Sequence, residues 1–83
     1  MEADWPEEFE TLVRGYLPRL RDEDRLHPDS DLINLGLDSL NAVGLLLDLE
    51  GAFDVMVPAD GLNIRTVQSP SSLWSTIDEL RKA

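Results

Sequence analysis

Apolar residues recur with helical spacing on two different sides of the segment 39–53, and this pattern constrains the fold most. With an advance of roughly 100° per residue from Leu40, one cluster lies between roughly 140° and 240°, the position and width of an ordinary core stripe. We call it the inner stripe: Ala42, Leu45, Leu46, Leu49 and Phe53. A second cluster, the outer stripe, lies roughly between 300° and 360°: Leu40, Val43 and Leu47. The segment is therefore predicted to be a helix with two apolar faces.

A helix in a chain of 83 residues is not expected to bury both stripes, because so small a domain has one compact core. An exposed apolar patch with acidic neighbours, here Asp48 and Glu50, is typical of a partner-binding surface. The alternative is that the preceding loop folds over the outer stripe. A mixed arrangement, in which the loop covers Val43 and leaves Leu40 and Leu47 exposed, is also open.

Two further main helices are predicted on either side of this segment. The first is capped by Asp4, and it ends or kinks near Leu17 because Pro18 interrupts a regular helix. The last begins at Ser69 and Pro70, an N-cap followed by a proline at the first helical position. The apolar stripes are Phe9, Leu12, Val13, Tyr16, Leu17 and Leu20 in the first helix, and Leu73, Trp74, Ile77 and Leu80 in the last.

A long connection, residues 19–38, separates the first two main helices, and such a loop in a small domain is often functional. Gly36 suits a tight turn with positive φ just before the second helix. A brief helical turn is predicted over residues 60–65. The predicted fold is all-α, a small four-helix bundle of three main helices and one short one, in a single domain over residues 1–83. Residues expected to pin the connection to the core are Leu26, Leu32, Ile33, Leu35 and Leu37.

The charge balance narrows the possible partners. The formal net charge is −10, and residues 28–64 contain seven acids and no Lys or Arg. This negative charge argues against binding to nucleic-acid phosphates. It is compatible with two interpretations: a solvated surface without a partner, or a surface that attracts basic protein partners. The sequence contains no run of 18 apolar residues, and its first residues are acidic, so neither a membrane span nor a signal peptide is predicted and a cytoplasmic location is expected.

Ser39 lies in the first turn of the central predicted helix. Backbone N–H groups there lack helical partners, and the helix dipole favours negative charge, so a phosphate ester on Ser39 is well placed. The adjacent Asp38 is suited to help hold a divalent ion during phosphoryl transfer. The plainer alternative is that Asp38 and Ser39 form only a helix cap.

Residues 31–40 read Asp-Leu-Ile-Asn-Leu-Gly-Leu-Asp-Ser-Leu. The last six of them resemble the attachment-site signature of the phosphopantetheine-binding family of acyl and peptidyl carrier proteins. The similarity continues through residues 49–53, 57–58 and the helix after 69–70, so it covers nearly the whole chain.

This resemblance implies that Ser39 receives 4'-phosphopantetheine from coenzyme A, in a Mg²⁺-dependent reaction of a separate phosphopantetheinyl transferase that Asp38 assists. The arm's thiol then carries acyl or aminoacyl cargo as a thioester, which fits a chain without cysteine. The expected protein is a monomeric, non-catalytic carrier without a metal site of its own. Its expected partners are the transferase, a loading enzyme and downstream synthase or tailoring enzymes. Docking is expected through Leu40, Val43, Leu47, Asp48 and Glu50.

The sequence departs from the fatty-acid-synthesis carriers at three positions of the central helix. Asn41, Gly44 and Gly51 stand where acids are common in that group. The departure favours a discrete carrier of polyketide or nonribosomal-peptide biosynthesis. A fatty-acid-synthesis carrier and an unmodified helical adaptor remain the alternatives.

Other chemistry has little support in the sequence. A serine hydrolase would need His27 and an acid to converge on Ser39, and no Gly-x-Ser-x-Gly motif surrounds that serine. Asp29 and Asp31 begin like a calcium loop, but the pattern fails at the next positions. The two tryptophans are predicted to pack against the bundle.

Overall fold

The computed structural model describes residues 5–58 and 65–82. Helices α1 (Glu7–Arg14), α2 (Ser39–Phe53) and α3 (Pro70–Lys82) account for the regular structure of these ranges, which contain no strand. The predicted all-α class is confirmed. The short helical turn predicted over 60–65 lies outside the described residues except for Arg65, which is in a turn.

Helix α1 is shorter than predicted. It begins after Pro6, which occupies the N-cap position without a side-chain cap, and Asp4 lies outside the described residues. It ends at Arg14, whereas the sequence predicted an end near Leu17. The amides of the next residues continue with tighter bonds to carbonyls three residues back, including Leu17 N to Arg14 O at 3.1 Å. This tightening fits the approach of Pro18, which disfavours α-helical backbone in the residue before it.

The segment between α1 and α2 is tied to α1 and to the residues that precede α3. The Arg14 guanidinium donates to the Asp24 carbonyl at 2.6 Å, and the Leu32 amide donates to the Gln68 carbonyl at 3.2 Å. Of the five residues predicted to pin the segment, Ile33 is the exception, because it is 42% exposed. The others are buried or half-buried: Leu26, Leu32, Leu35 and Leu37.

Gly36 turns the chain into α2. Its φ is +113°, so the predicted positive-φ turn is confirmed. A β-carbon at this position would lie 2.7 Å from both Cγ and Cδ of Pro18. Only glycine therefore fits both the backbone and the space at this turn.

An aromatic cluster closes the core between the three helices. The ring of Phe9 lies 5.1 Å from that of Trp74, and Trp74 lies 5.4 Å from Phe53. Trp5 extends the cluster at 5.8 Å from Phe9, so both tryptophans pack as predicted. The Arg81 guanidinium sits over the Trp74 ring at 5.0 Å, an arrangement favoured by cation–π attraction.

Helix α3 begins with a reciprocal cap. Ser69 Oγ accepts from the Ser72 amide, and Ser72 Oγ accepts from the Ser69 amide, both at 3.2 Å. The predicted N-cap at Ser69 is thus confirmed, with Ser72 as its partner. Leu73 and Ile77 are fully buried, so the predicted stripe of α3 faces the core.

Candidate functional site

At the start of α2, the residue that caps the helix, Asp38, is followed by an exposed serine, Ser39. Asp38 has extended backbone, and its Oδ1 accepts from the Asn41 amide at 2.7 Å, which makes Asp38 the N-cap. Ser39 is exposed, and its hydroxyl makes no hydrogen bond to any residue in the described ranges. The cap therefore needs only Asp38, and the hydroxyl of Ser39 remains accessible at the positive end of the helix.

The surroundings of Asp38 bear on its suggested part in holding a divalent ion. Within residues 5–58 and 65–82, no group of three or more His, Cys, Asp or Glu side chains is placed to hold a metal ion. Asp38 can offer a single carboxylate, of which one oxygen already caps the helix. A divalent ion at Asp38 would therefore need ligands from outside the described residues.

The two faces of α2 are arranged as the spacing predicted. Four members of the inner stripe, Ala42, Leu45, Leu46 and Leu49, are buried, and Phe53 is half-buried. In the outer stripe, Leu40 is 82% exposed, Leu47 62% and Val43 43%. The loop therefore does not cover the outer stripe at Leu40 or Leu47, and Val43 is the least exposed of the three.

Asp48 lies on one flank of the outer stripe and is engaged within the chain. Its Oδ2 accepts a hydrogen bond from the Tyr16 hydroxyl at 2.5 Å. Gly44 makes room for the ring, since a β-carbon there would lie 3.3 Å from Tyr16 Cε2 and Oη. A phenol from the turn that follows α1 thus binds to the exposed side of α2.

Glu50 lies on the other flank and is also engaged. Its Oε2 accepts from the Val57 amide at 2.6 Å. The next large apolar side chain that is exposed along the chain is Met56, at 81%. Sequence reasoning missed Met56, because residues 55–57 are all apolar and their pattern does not show which side chain points outward. In the structure Val55 is half-buried, Met56 exposed and Val57 buried, the alternation of an extended backbone.

The contact with Asp48 shifts the pKa of Tyr16. The hydrogen bond from the Tyr16 hydroxyl to the Asp48 carboxylate raises this pKa, with smaller contributions from burial and from the negative charge of Asp48. A raised folded-state pKa means that this contribution to stability is present below the ordinary value near 10 and is lost as pH rises through the folded-state pKa. Since the chain has one tyrosine, tyrosinate absorbance should show ionisation above the ordinary pH in native protein. Asp48→Asn should lower that midpoint; an unchanged midpoint would contradict the contact.

The remaining features add little to this site. His27 is exposed, and its amide donates to Ser30 Oγ in a loop turn. In the described part of the chain, every helix is too short or too polar to cross a membrane.

Comparison with known proteins agrees with this geometry. The family model described as the phosphopantetheine attachment site matches residues 7–72, a range that contains α1, the connecting segment, α2 and the start of α3. Aminoacyl carrier protein 2 of Bradyrhizobium diazoefficiens is 35% identical over 48 residues, which cover 58% of this chain and 54% of that relative. The chain thus spans about half the length of this relative.

A phosphopantetheine group fits the residues at the start of α2, because an accessible hydroxyl stands there beside a helix N-terminus whose cap does not depend on it. The chain belongs to the phosphopantetheine attachment-site family, a family of carrier proteins to which 4'-phosphopantetheine is covalently attached.

Proposed function

We propose that Ser39 is the attachment residue and that the chain holds acyl or aminoacyl groups for biosynthetic enzymes without being an enzyme itself. The observation that carries this proposal is the exposed Ser39 hydroxyl, one residue after a complete Asp38 cap, beside an exposed apolar stripe. When bound, the phosphopantetheine supplies the terminal thiol that this cysteine-free chain lacks.

The residues of this chain have separate parts in attachment. In attachment, the Ser39 oxygen would bond to the phosphorus that bears the pantetheine arm of coenzyme A, while the pyrophosphate P–O bond to the nucleotide portion breaks. The hydroxyl proton would pass to a base of the transferase, and the nucleotide portion would leave. Asp38 holds the first turn in place and would offer one carboxylate oxygen to a Mg²⁺ ion supplied by the transferase. The unpaired amides of the first turn favour the negative charge of the ester.

The same arrangement supports a choice of pathway. A β-carbon at Gly44 would lie 3.3 Å from Cε2 and Oη of Tyr16, so a larger side chain there would require the ring to shift. Asn41, Gly44 and Gly51 leave α2 without acids at three positions where fatty-acid-synthesis carriers commonly have them. This supports a discrete carrier of polyketide or nonribosomal-peptide biosynthesis, and the aminoacyl carrier relative supports an amino acid as cargo.

A direct test is to incubate the purified protein with coenzyme A, Mg²⁺ and a broad-specificity phosphopantetheinyl transferase, and to measure intact mass. The expected product has gained one phosphopantetheine unit, mapped to the peptide that contains Ser39. An unmodified adaptor would keep its original mass, and a modified peptide elsewhere would contradict Ser39.

Docking of partner enzymes is proposed to use the outer stripe. Leu47→Asp should raise the transferase KM by about 5–30-fold, the cost of losing an interface hot spot, and should leave helical circular dichroism unchanged because Leu47 is 62% exposed. The matched control is Leu46→Asp, one residue earlier and 2% exposed, which should unfold the domain by burying a charge. Equal loss of helicity in both variants would show that the two faces are misassigned.

A further inference from the structure

Met56 is held in the short link after α2 with its side chain outward. Its two neighbours point inward, since Val57 is 8% exposed and Val55 is packed against the core, whereas Met56 is 81% exposed. A single exposed apolar residue is ordinary on protein surfaces. The significance of Met56 therefore depends on what holds it and on where it lies.

Three hydrogen bonds from this link end at Glu50. The amides of Asp54 and Val55 donate to the Glu50 carbonyl, and the Val57 amide donates to Glu50 Oε2 at 2.6 Å. Asp54 has left-handed backbone with φ of 55°, which reverses the chain at the end of α2. Glu50 thus clamps the link on both sides of Met56.

This clamp lies on the Ser39 side of α2. With Leu40 at 0°, Ser39 falls at roughly 260°, Glu50 at roughly 280° and Val43 at roughly 300°. Glu50 is eleven positions after Ser39, a distance of about 16 Å along the helix axis. A standard interface covers about 800 Å² on each partner, or roughly 30 Å across. An enzyme that reaches the Ser39 hydroxyl and rests on the outer stripe is therefore large enough to contact the link that Glu50 holds.

We propose that Met56 is a docking residue for the enzyme that modifies Ser39, and that Glu50 is a positioning residue which holds Met56 toward it. The inference rests on the proposed function of Ser39. The fitting partner surface is an apolar recess beside the active site, since Met56 and the outer stripe are the exposed large apolar side chains of α2 and of the link that follows it. Glu50 acts through the carboxylate oxygen that accepts from the Val57 amide. The partner does not recognise the negative charge of Glu50.

The test measures the transferase KM and kcat separately for variants of both residues. Met56→Gln should raise KM about fivefold or more with kcat unchanged, the effect of losing one interface anchor, and Met56→Leu should restore it. Glu50→Ala should raise KM to a similar degree. Glu50→Gln keeps an acceptor oxygen without the charge and should behave as wild type. The double variant Glu50→Ala/Met56→Gln should be no worse than the stronger single variant, because both changes remove the same contact.

Two results would overturn the inference. A Met56→Gln protein with wild-type KM would show that the partner does not contact Met56, and a Glu50→Gln protein as impaired as Glu50→Ala would show that the partner reads the charge. Circular dichroism of each variant checks that α2 is intact. Calorimetric affinity for the transferase, measured in a Ser39→Ala background, decides the Met56 contact even if wild-type protein gains no phosphopantetheine. In that case only the proposed function of Ser39 fails.

Discussion

Replacing Ser39 with alanine is expected to abolish phosphopantetheine transfer completely while leaving the fold unchanged. The acceptor oxygen is gone, and residues 31–65 contain no other Ser, Thr, Tyr or Cys that could replace it. Ser39 is exposed and Asp38 supplies the cap, so the change should alter the free energy of unfolding by no more than about 0.5 kcal/mol. Intact mass after treatment with transferase and coenzyme A measures the loss of transfer. Denaturant unfolding measures the change in the free energy of unfolding.

Ser71→Ala is the matched control, since Ser71 is also an exposed serine in the first turn of a helix. This variant should gain one phosphopantetheine unit as the wild type does. A Ser39→Ala protein that still gains the unit would remove the basis of the proposed attachment site. A Ser39→Ala protein that is unfolded would show instead that the hydroxyl is structural.

Gly36→Ala is expected to be the most destabilising of the proposed single substitutions that bury no charge. The backbone φ of +113° costs an alanine about 1–3 kcal/mol. The new methyl would also lie 2.7 Å from two carbons of Pro18, and overpacking adds about 1–3 kcal/mol. Together these are a large part of the stability of so small a domain. Thermal unfolding followed by circular dichroism should show Tm lowered by roughly 10 °C or more.

Gly51→Ala is expected to change the stability in the opposite direction to Gly36→Ala. Gly51 is inside α2, and a β-carbon there meets no atom of the described structure within 4 Å. Alanine should therefore stabilise the helix by up to about 1 kcal/mol and raise Tm. If both glycine variants moved Tm in the same direction, the strained turn at Gly36 would not be the cause.

Helix α2 could be predicted closely from the sequence because the signals that define it are local. Asp38 caps an amide three residues away, and the two stripes follow from the 3.6-residue period within a single helix. The bounds 39–53, the buried inner stripe and the exposed Leu40 and Leu47 all agree with prediction. The cap at Ser69 was predictable for the same reason.

Features that depend on distant parts of the chain were not predictable in this way. Tyr16 and Asp48 are 32 positions apart, so no periodicity relates them. The helical spacing predicted only that Tyr16 belongs to the apolar stripe of the first helix. Ile33 was expected to be buried with its leucine neighbours, but the turn at residues 31–36 points it outward. The early end of α1 likewise depends on how the chain approaches Pro18.

The assignment of the cap to Asp38 has a consequence for how the protein behaves through repeated rounds of use. A helix whose first turn was stabilised by the acceptor serine itself would lose that support at every modification, and the unmodified and modified chains would differ in stability. Here the stabilising carboxylate sits one residue upstream of the Ser39 hydroxyl. With attachment at Ser39 as proposed, the cap is therefore the same in the unmodified and the modified chain, and α2 can keep one geometry in both.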